Sequence, residues 1–452
     1  MSPPTSRRNF SRSRQSLEAK IDLTLLYGPL LLLMFGPLAF GAVEPWSILI
    51  LESGAVLLGL AWVARKSMSG EMDIHPNPLF PPMLTFAGLI LLQLILGLSA
   101  SRHETIVQAG LYFAYGMLSF LVAQSWRRSA QVRTLAGILA LYGIAVAAFA
   151  LLQGVAPNGK IYWLRVPHSG GRIYGPYVNH NHYAGLMEML IPVALVIALS
   201  RQAADRVRIA AGVAAAIMVG TVFLSGSRGG MLSVFAELAV LAFILLRQKK
   251  RSVRIAIAAG AFLIVVLSLL VWLGGKELTQ TVGSISTEAR EEISGGVRLS
   301  IAKDGIRMFT HRPVLGWGFG TFPVVYPQFR SFYTNFFVNA AHNDYVQLLA
   351  EVGILGFATM LWFLVIVFRH ALRKIRNWTT ETSGAATVAC VLGIIGILLH
   401  SFVDFNLQIP ANAAIFYVFC SIAAAPPLLQ RQRKHRPVPA PEQELLPASE
   451  VV

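Results

Sequence analysis

The chain has 452 residues, 55% of them hydrophobic and only 13% charged, with a formal net charge of +16. Soluble domains carry about 25% charged residues, so this composition excludes a soluble globular protein. The excess of Lys and Arg then reads as a topology signal rather than a nucleic-acid footprint. Both cysteines, Cys390 and Cys420, fall inside apolar runs, which excludes a disulfide scaffold.

A helix needs about 20 apolar residues to cross a bilayer. The hydropathy pattern predicts about twelve such spans: Leu23–Val43, Trp46–Ala64, Leu79–Leu98, Thr105–Gln124, Thr134–Gln153, Ala184–Leu199, Ile209–Leu224, Gly230–Leu246, Ile255–Leu273, Tyr345–Phe368, Ala385–Phe402 and Pro410–Leu429. The expected fold is all-α and polytopic. The run after the basic stretch 1–22 has no small-residue cleavage site, so it reads as a first span and not a signal peptide. The tail 430–452 is basic, then rich in Pro and Glu, and is expected to be disordered.

Charge fixes the orientation. With the N-terminus in the cytoplasm, 26 of the 38 basic residues fall in cytoplasmic segments, and each such segment holds at least two. Both termini are then cytoplasmic, and the connections 154–183, 225–229 and 274–344 face outward. Eleven of the twelve remaining basic residues sit in those three connections. Long loops are exempt from the charge rule, but 225–229 is too short for that exemption to explain Arg228.

The outward connections carry four polar motifs. Gly175-Pro176-Tyr177-Val178-Asn179-His180-Asn181-His182 precedes a span and reads either as a polar helix entry, with Asn179 or Asn181 as cap, or as a ligand rim of amides. Histidines at i, i+2 without external Cys or a nearby Asp make a weak zinc signal, so no metal site is expected. Ser225-Gly226-Ser227-Arg228-Gly229-Gly230 places two hydroxyls and a guanidinium at a helix start, where an anion is favoured; the alternative is a tight turn with a snorkelling Arg228. Residues 298–311 read as an amphipathic helix with a stripe of Leu299, Ala302, Ile306 and Phe309, ended by Pro313 and a Gly316-x-Gly318-x-Gly320 turn. The fourth motif, Ala341-His342-Asn343-Asp344-Tyr345 with Glu351, crowds polar groups against an apolar span. An imidazole there can take a proton from a hydroxyl, and either Asp344 or Glu351 could orient it.

Together, Tyr174 to Asn181, Ser225 to Gly229, Arg298 followed by Pro313-Val314-Leu315-Gly316-Trp317-Gly318, and Ala341 to Tyr345 with Glu351-Val352-Gly353 resemble the O-antigen ligase and polymerase family over about residues 170–400. The resemblance implies a GT-C-like inverting glycosyltransferase. It would move a glycan from an undecaprenyl-diphosphate carrier to a glycan or lipid A–core acceptor on the periplasmic side of the bacterial inner membrane, without metal or cofactor. It further implies His342 as base and Arg228 and Arg298 as diphosphate ligands. Members often carry a Trp shortly after the arginine of the third motif; Ile301, Ala302 and Lys303 stand there instead, which leaves Arg307 as the alternative to Arg298. Arg172, Tyr177, Asn179, Asn181, Ser227, Asn343 and Asp344 are the expected supporting residues.

The chemistry of the residues agrees. A sugar–diphosphate bond breaks more easily when guanidinium groups stabilise the leaving oxygens. The expected partners are the lipid-linked donor, its acceptor and the bilayer, with no nucleic acid. Protein glycosylation is the alternative within the family; a transporter or a non-catalytic assembly scaffold is the alternative outside it. Glu52, Glu188 and Glu237 lie inside expected spans with no obvious partners in sequence, and the polar groups otherwise cluster in the outward connections, which argues against transport.

Overall fold

The computed structural model describes residues 4–166, 172–247, 295–335 and 337–428. Among these, every regular element is a helix; two isolated bridges join described residues, Ile161 with Arg165 and Tyr174 with Tyr177. In chain order the helices are α1 (Pro4–Leu38), α2 (Pro45–Ser69), α3 (Phe80–Ile95), α4 (Arg102–Ser125), α5 (Ser129–Val155), α6 (His180–Leu199), α7 (Asp205–Ser225), α8 (Arg228–Leu246), α9 (Gly295–His311), α10 (Asp344–Lys374), α11 (Thr382–His400) and α12 (Pro410–Ala424). Nine of them are long and apolar enough to cross a membrane, and α3 and α12 are shorter apolar helices. These eleven match eleven of the twelve expected spans. The expected span 255–273, Lys276, Arg290 and the tail 430–452 lie outside the described residues.

The helices begin and end where capping chemistry permits. Pro45 opens α2, whose missing N–H costs nothing in the first turn, and Gly70 closes it at φ 72 by donating its N–H to the Lys66 carbonyl. The basic N-terminal stretch is continuous with α1, and Arg65 of α2 holds Asp22 at 2.8 Å. α6 and α11 are the most enclosed spans. Small residues let them approach: a Cβ on Gly393 of α11 would lie 2.9 Å from Met189 Cα of α6.

Two features position the face that carries the motifs. First, α10 is broken at Gly353 (φ 63). The backbone groups freed there are satisfied by the preceding loop: Ile354 N donates to Pro313 O at 2.8 Å, and Trp317 N and Gly318 N donate to the Ala350 and Glu351 carbonyls. This is how a broken helix is tolerated at membrane depth. Second, α9 packs against the start of α10 through Gly305, where a Cβ would lie 2.6 Å from Val346 Cγ1. The face it buries is Ile301, Asp304, Gly305 and Met308, while Leu299 and Ile306 are exposed. The expected stripe was therefore displaced: α9 has apolar residues on two faces, and the one that includes a glycine is the face turned inward.

Candidate functional site

The four motifs meet at a segment that none of them contains. His400 ends α11 and residues 401–409 connect it to α12, and three helix N-termini surround this segment. From α8, Gly229 lies against the His400 ring, where a Cβ would be 2.5 Å from Cδ2. From α10, Asn343 Nδ2 donates to the Phe402 carbonyl, and Asp344 accepts from Ser401 Oγ at 2.8 Å and Leu407 N at 3.1 Å. From α6, the His182 ring packs edge-on against Phe405. Helix N-termini present unpaired N–H groups and a positive dipole end, so their convergence favours an anion.

Asp404 stands at the centre. His342 Nδ1 lies 3.6 Å and His182 Nε2 3.8 Å from its Oδ1, and Arg298 Nη1 lies 3.6 Å from its Oδ2. These are ion-pair distances rather than hydrogen bonds. Phe405 N donates to Oδ1 at 2.8 Å, and the Phe405 ring is 4.8 Å edge-on from the His342 ring. Arg298 is fixed separately by a 2.7 Å bond from Nη1 to the Val403 carbonyl. Asp404 is buried, while Arg298 keeps about a quarter of its side chain exposed, so the cluster opens at the arginine. Burial alone would raise the Asp404 carboxyl, but the adjacent His342 and the Arg298 guanidinium hold it well below the usual carboxylate range. His342 itself has φ 49, a left-handed conformation uncommon outside glycine. Such strain persists only where the surroundings fix it, and here the Asn343 cap of α10 follows at once.

Neither carboxylate expected to orient His342 does so. Asp344 is bound to Ser401, Leu407 and Gln408. Glu351 accepts from Gly320 N at 3.0 Å, Phe322 N at 3.1 Å and Gln347 Nε2 at 3.1 Å, so it braces the glycine turn against α10. The carboxylate beside His342 is Asp404. It is the only Asp, Glu, Lys or Arg between Glu381 and Arg431, and a lone charge in so apolar a stretch is the signal that could have found it.

The other expected residues divide by role. Asn179, Ser227 and Asn343 are the N-caps of α6, α8 and α10, each accepting from backbone N–H groups of its own first turn. Tyr177 is wholly enclosed; its hydroxyl donates to Asn412 Oδ1 at 2.8 Å, and Asn412 in turn donates to the His182 carbonyl. It supports the α6 entry from behind. Asn181 is buried in the first turn of α6. Arg172 is exposed, and its carbonyl accepts from His180 N. Arg228 opens α8 and is exposed, next to the Gly229–His400 contact. Arg307 is nine residues from Arg298, half a turn out of phase around α9. It faces away, with Asp304 at 3.8 Å as its ion-pair partner. The structure thus brings Arg298, His342 and Asp404 together, with Arg228 nearby, and leaves Arg307 outside.

A family model described as O-antigen ligase matches residues 213–363, from within α7 through about the first two-thirds of α10. The match includes Arg228, Arg298, Arg307 and His342 and stops before Asp404. No curated protein matches the chain. The chain is thus a multi-pass membrane protein by the length and composition of its helices, and its residues 213–363 are similar to the O-antigen ligase family.

Proposed function

We propose that this protein transfers a glycan from an undecaprenyl-diphosphate carrier to an acceptor hydroxyl at the periplasmic face of the inner membrane, by a single inverting displacement that needs no metal ion. The coarser activity, O-antigen ligase-type glycan transfer in the membrane, rests on the family match. The observation that carries the finer reading is the His342–Asp404–Arg298 constellation, in which a base and a phosphate-binding cation each lie within 4 Å of one carboxylate.

In this reading the acceptor hydroxyl gives its proton to His342 Nε2, since Nδ1 faces Asp404. The Asp404 carboxylate orients the ring and stabilises the imidazolium that forms. The freed alkoxide attacks the anomeric carbon from the side opposite the diphosphate, so the configuration inverts. Arg298 and Arg228, together with the α8 N-terminus, take up charge on the departing diphosphate. Two guanidinium groups supply the cation function that other transferases obtain from Mg²⁺. The exposed apolar residues of α9, Leu299 and Ile306, suit the carrier's lipid or the bilayer edge. Arg307 is not assigned to the site.

The ligase and polymerase readings share this chemistry and differ only in acceptor. Transfer from a polyprenyl-diphosphate glycan by purified, reconstituted protein, with EDTA present, is the test. Transfer in EDTA with an inverted anomeric product is expected. A requirement for added divalent cation, or retention of configuration, would remove the mechanism.

A further inference from the structure

Beneath the Asp404 cluster lies a second buried pair that this mechanism leaves unused. Glu188 sits about two turns inside α6, and its Oε1 is 2.7 Å from His400 Nδ1 at the end of α11; both side chains are essentially without solvent contact. Glu188, for which the sequence offered no obvious partner, therefore has one. A buried Glu–His pair at membrane depth is costly to desolvate, which makes it a candidate for a functional role.

Its placement says what. The His400 carbonyl accepts from Val403 N at 3.0 Å and Asp404 N at 3.1 Å, so the turn carrying Asp404 is built on His400. The far edge of the His400 ring rests on Gly229, with a hypothetical Cβ 2.6 Å from Nε2. One imidazole is thus gripped by Glu188 on one side, abuts the Arg228 turn on the other, and bears Asp404 on its main chain. We infer that the Glu188–His400 pair is a positioning unit for the transfer centre: it fixes Asp404 against His342. The inference rests on the proposed role of Asp404.

The charged and titratable groups around His400 are few. α6 contributes Glu188 and His182, α9 contributes Arg298, and Asp404 lies in its own turn. α8 contributes Glu237, packed against Gly396 one turn before His400, and Arg228 beside Gly229. α10 brings His342 and Asp344 to the same segment. Of these only Glu188 bonds the His400 ring.

Glu188→Gln and His400→Gln, separately and together, test the inference in reconstituted protein, with Asp404→Asn as reference. Each single variant is expected to lower kcat about tenfold or more and to move the ascending limb of the pH–rate profile toward lower pH, as Asp404→Asn does. Displacing the carboxylate removes its charge from the base step, which the pH–rate profile reads directly. KM for the donor should change less than threefold, and the double variant should be no worse than either single one. A merely structural pair would lower the melting temperature without moving the limb. Gly229→Ala, which presses the ring from the opposite side, should move it likewise and serves if the other variants fail to insert. Wild-type kcat and pH limb in a folded Glu188→Gln, while Asp404→Asn is impaired, overturns the inference alone. An Asp404→Asn with wild-type behaviour overturns the reading of Asp404 and the inference with it.

Discussion

Replacing Asp404 by Asn changes one charge and little else. The amide oxygen can still accept from Phe405 N, 2.8 Å away, so the turn should hold. What is lost is the attraction between the carboxylate and a protonated His342. At 3.6 Å and an effective dielectric of about 20, that attraction is about 4–5 kcal/mol before compensation. Arg298, 3.6 Å from the other oxygen, and the cost of keeping the carboxylate buried offset part of it. A net loss of about 2–3 kcal/mol in transition-state stabilisation corresponds to a rate about 30- to 150-fold lower. The assay is glycan transfer in proteoliposomes at saturating donor across pH 5–9. Reduced kcat with the ascending limb moved toward lower pH is the expected result. A rate within twofold of wild type with an unmoved limb would refute the argument, because among the described residues no other carboxylate pairs with His342 Nδ1.

Arg298→Gln should raise the donor KM at least tenfold, whereas Arg307→Gln should stay within twofold of wild type; steady-state kinetics with a polyprenyl-diphosphate donor separates them. Glu351→Gln turns one of two buried oxygens, each accepting a backbone N–H, into an NH2 donor and should cost about 1–3 kcal/mol of stability, read as a lower melting temperature in detergent with an unchanged pH limb. Gly353→Ala should be more disruptive, since φ 63 disfavours a side chain and the new Cβ would meet the Val314 carbonyl; thermal unfolding and insertion yield report it. The Asp404 carboxyl lies below its ordinary value in the folded protein, so its ionisation favours the folded site above the ordinary carboxylate range. That contribution is lost as pH falls from that range toward the depressed value. Acid unfolding monitored by intrinsic fluorescence should therefore begin at higher pH in wild type than in Asp404→Asn, once both are normalised to neutral pH.

Much of the fold was legible in the sequence because lipid imposes a simple rule: each span must be long, apolar and self-bonded. Eleven expected spans reappear on that basis, and the motifs with Asn179, Ser227 and Asn343 mark real helix starts because cap chemistry is local. The carboxylate beside His342 was not legible. Asp404 is 62 positions from His342, and only the return of α11 beside α10 brings it there. The local reading favoured Asp344 and Glu351 because they are near in sequence, yet Asp344 is taken up by Ser401, Leu407 and Gln408 and Glu351 by the glycine turn. The choice between Arg298 and Arg307 likewise needed the packed face of α9. Periodicity alone favoured Leu299 and Ile306 as that face, because it cannot distinguish apolar side chains that face protein from those that face lipid.

The most direct measurement of the central claim is transfer by His342→Ala in reconstituted, EDTA-treated protein, with insertion and melting temperature checked in parallel. The account predicts a folded protein that still binds the polyprenyl-diphosphate donor but transfers at least a hundredfold more slowly. A folded His342→Ala that transfers at the wild-type rate would show that the base is elsewhere and that this histidine serves only the entry of α10.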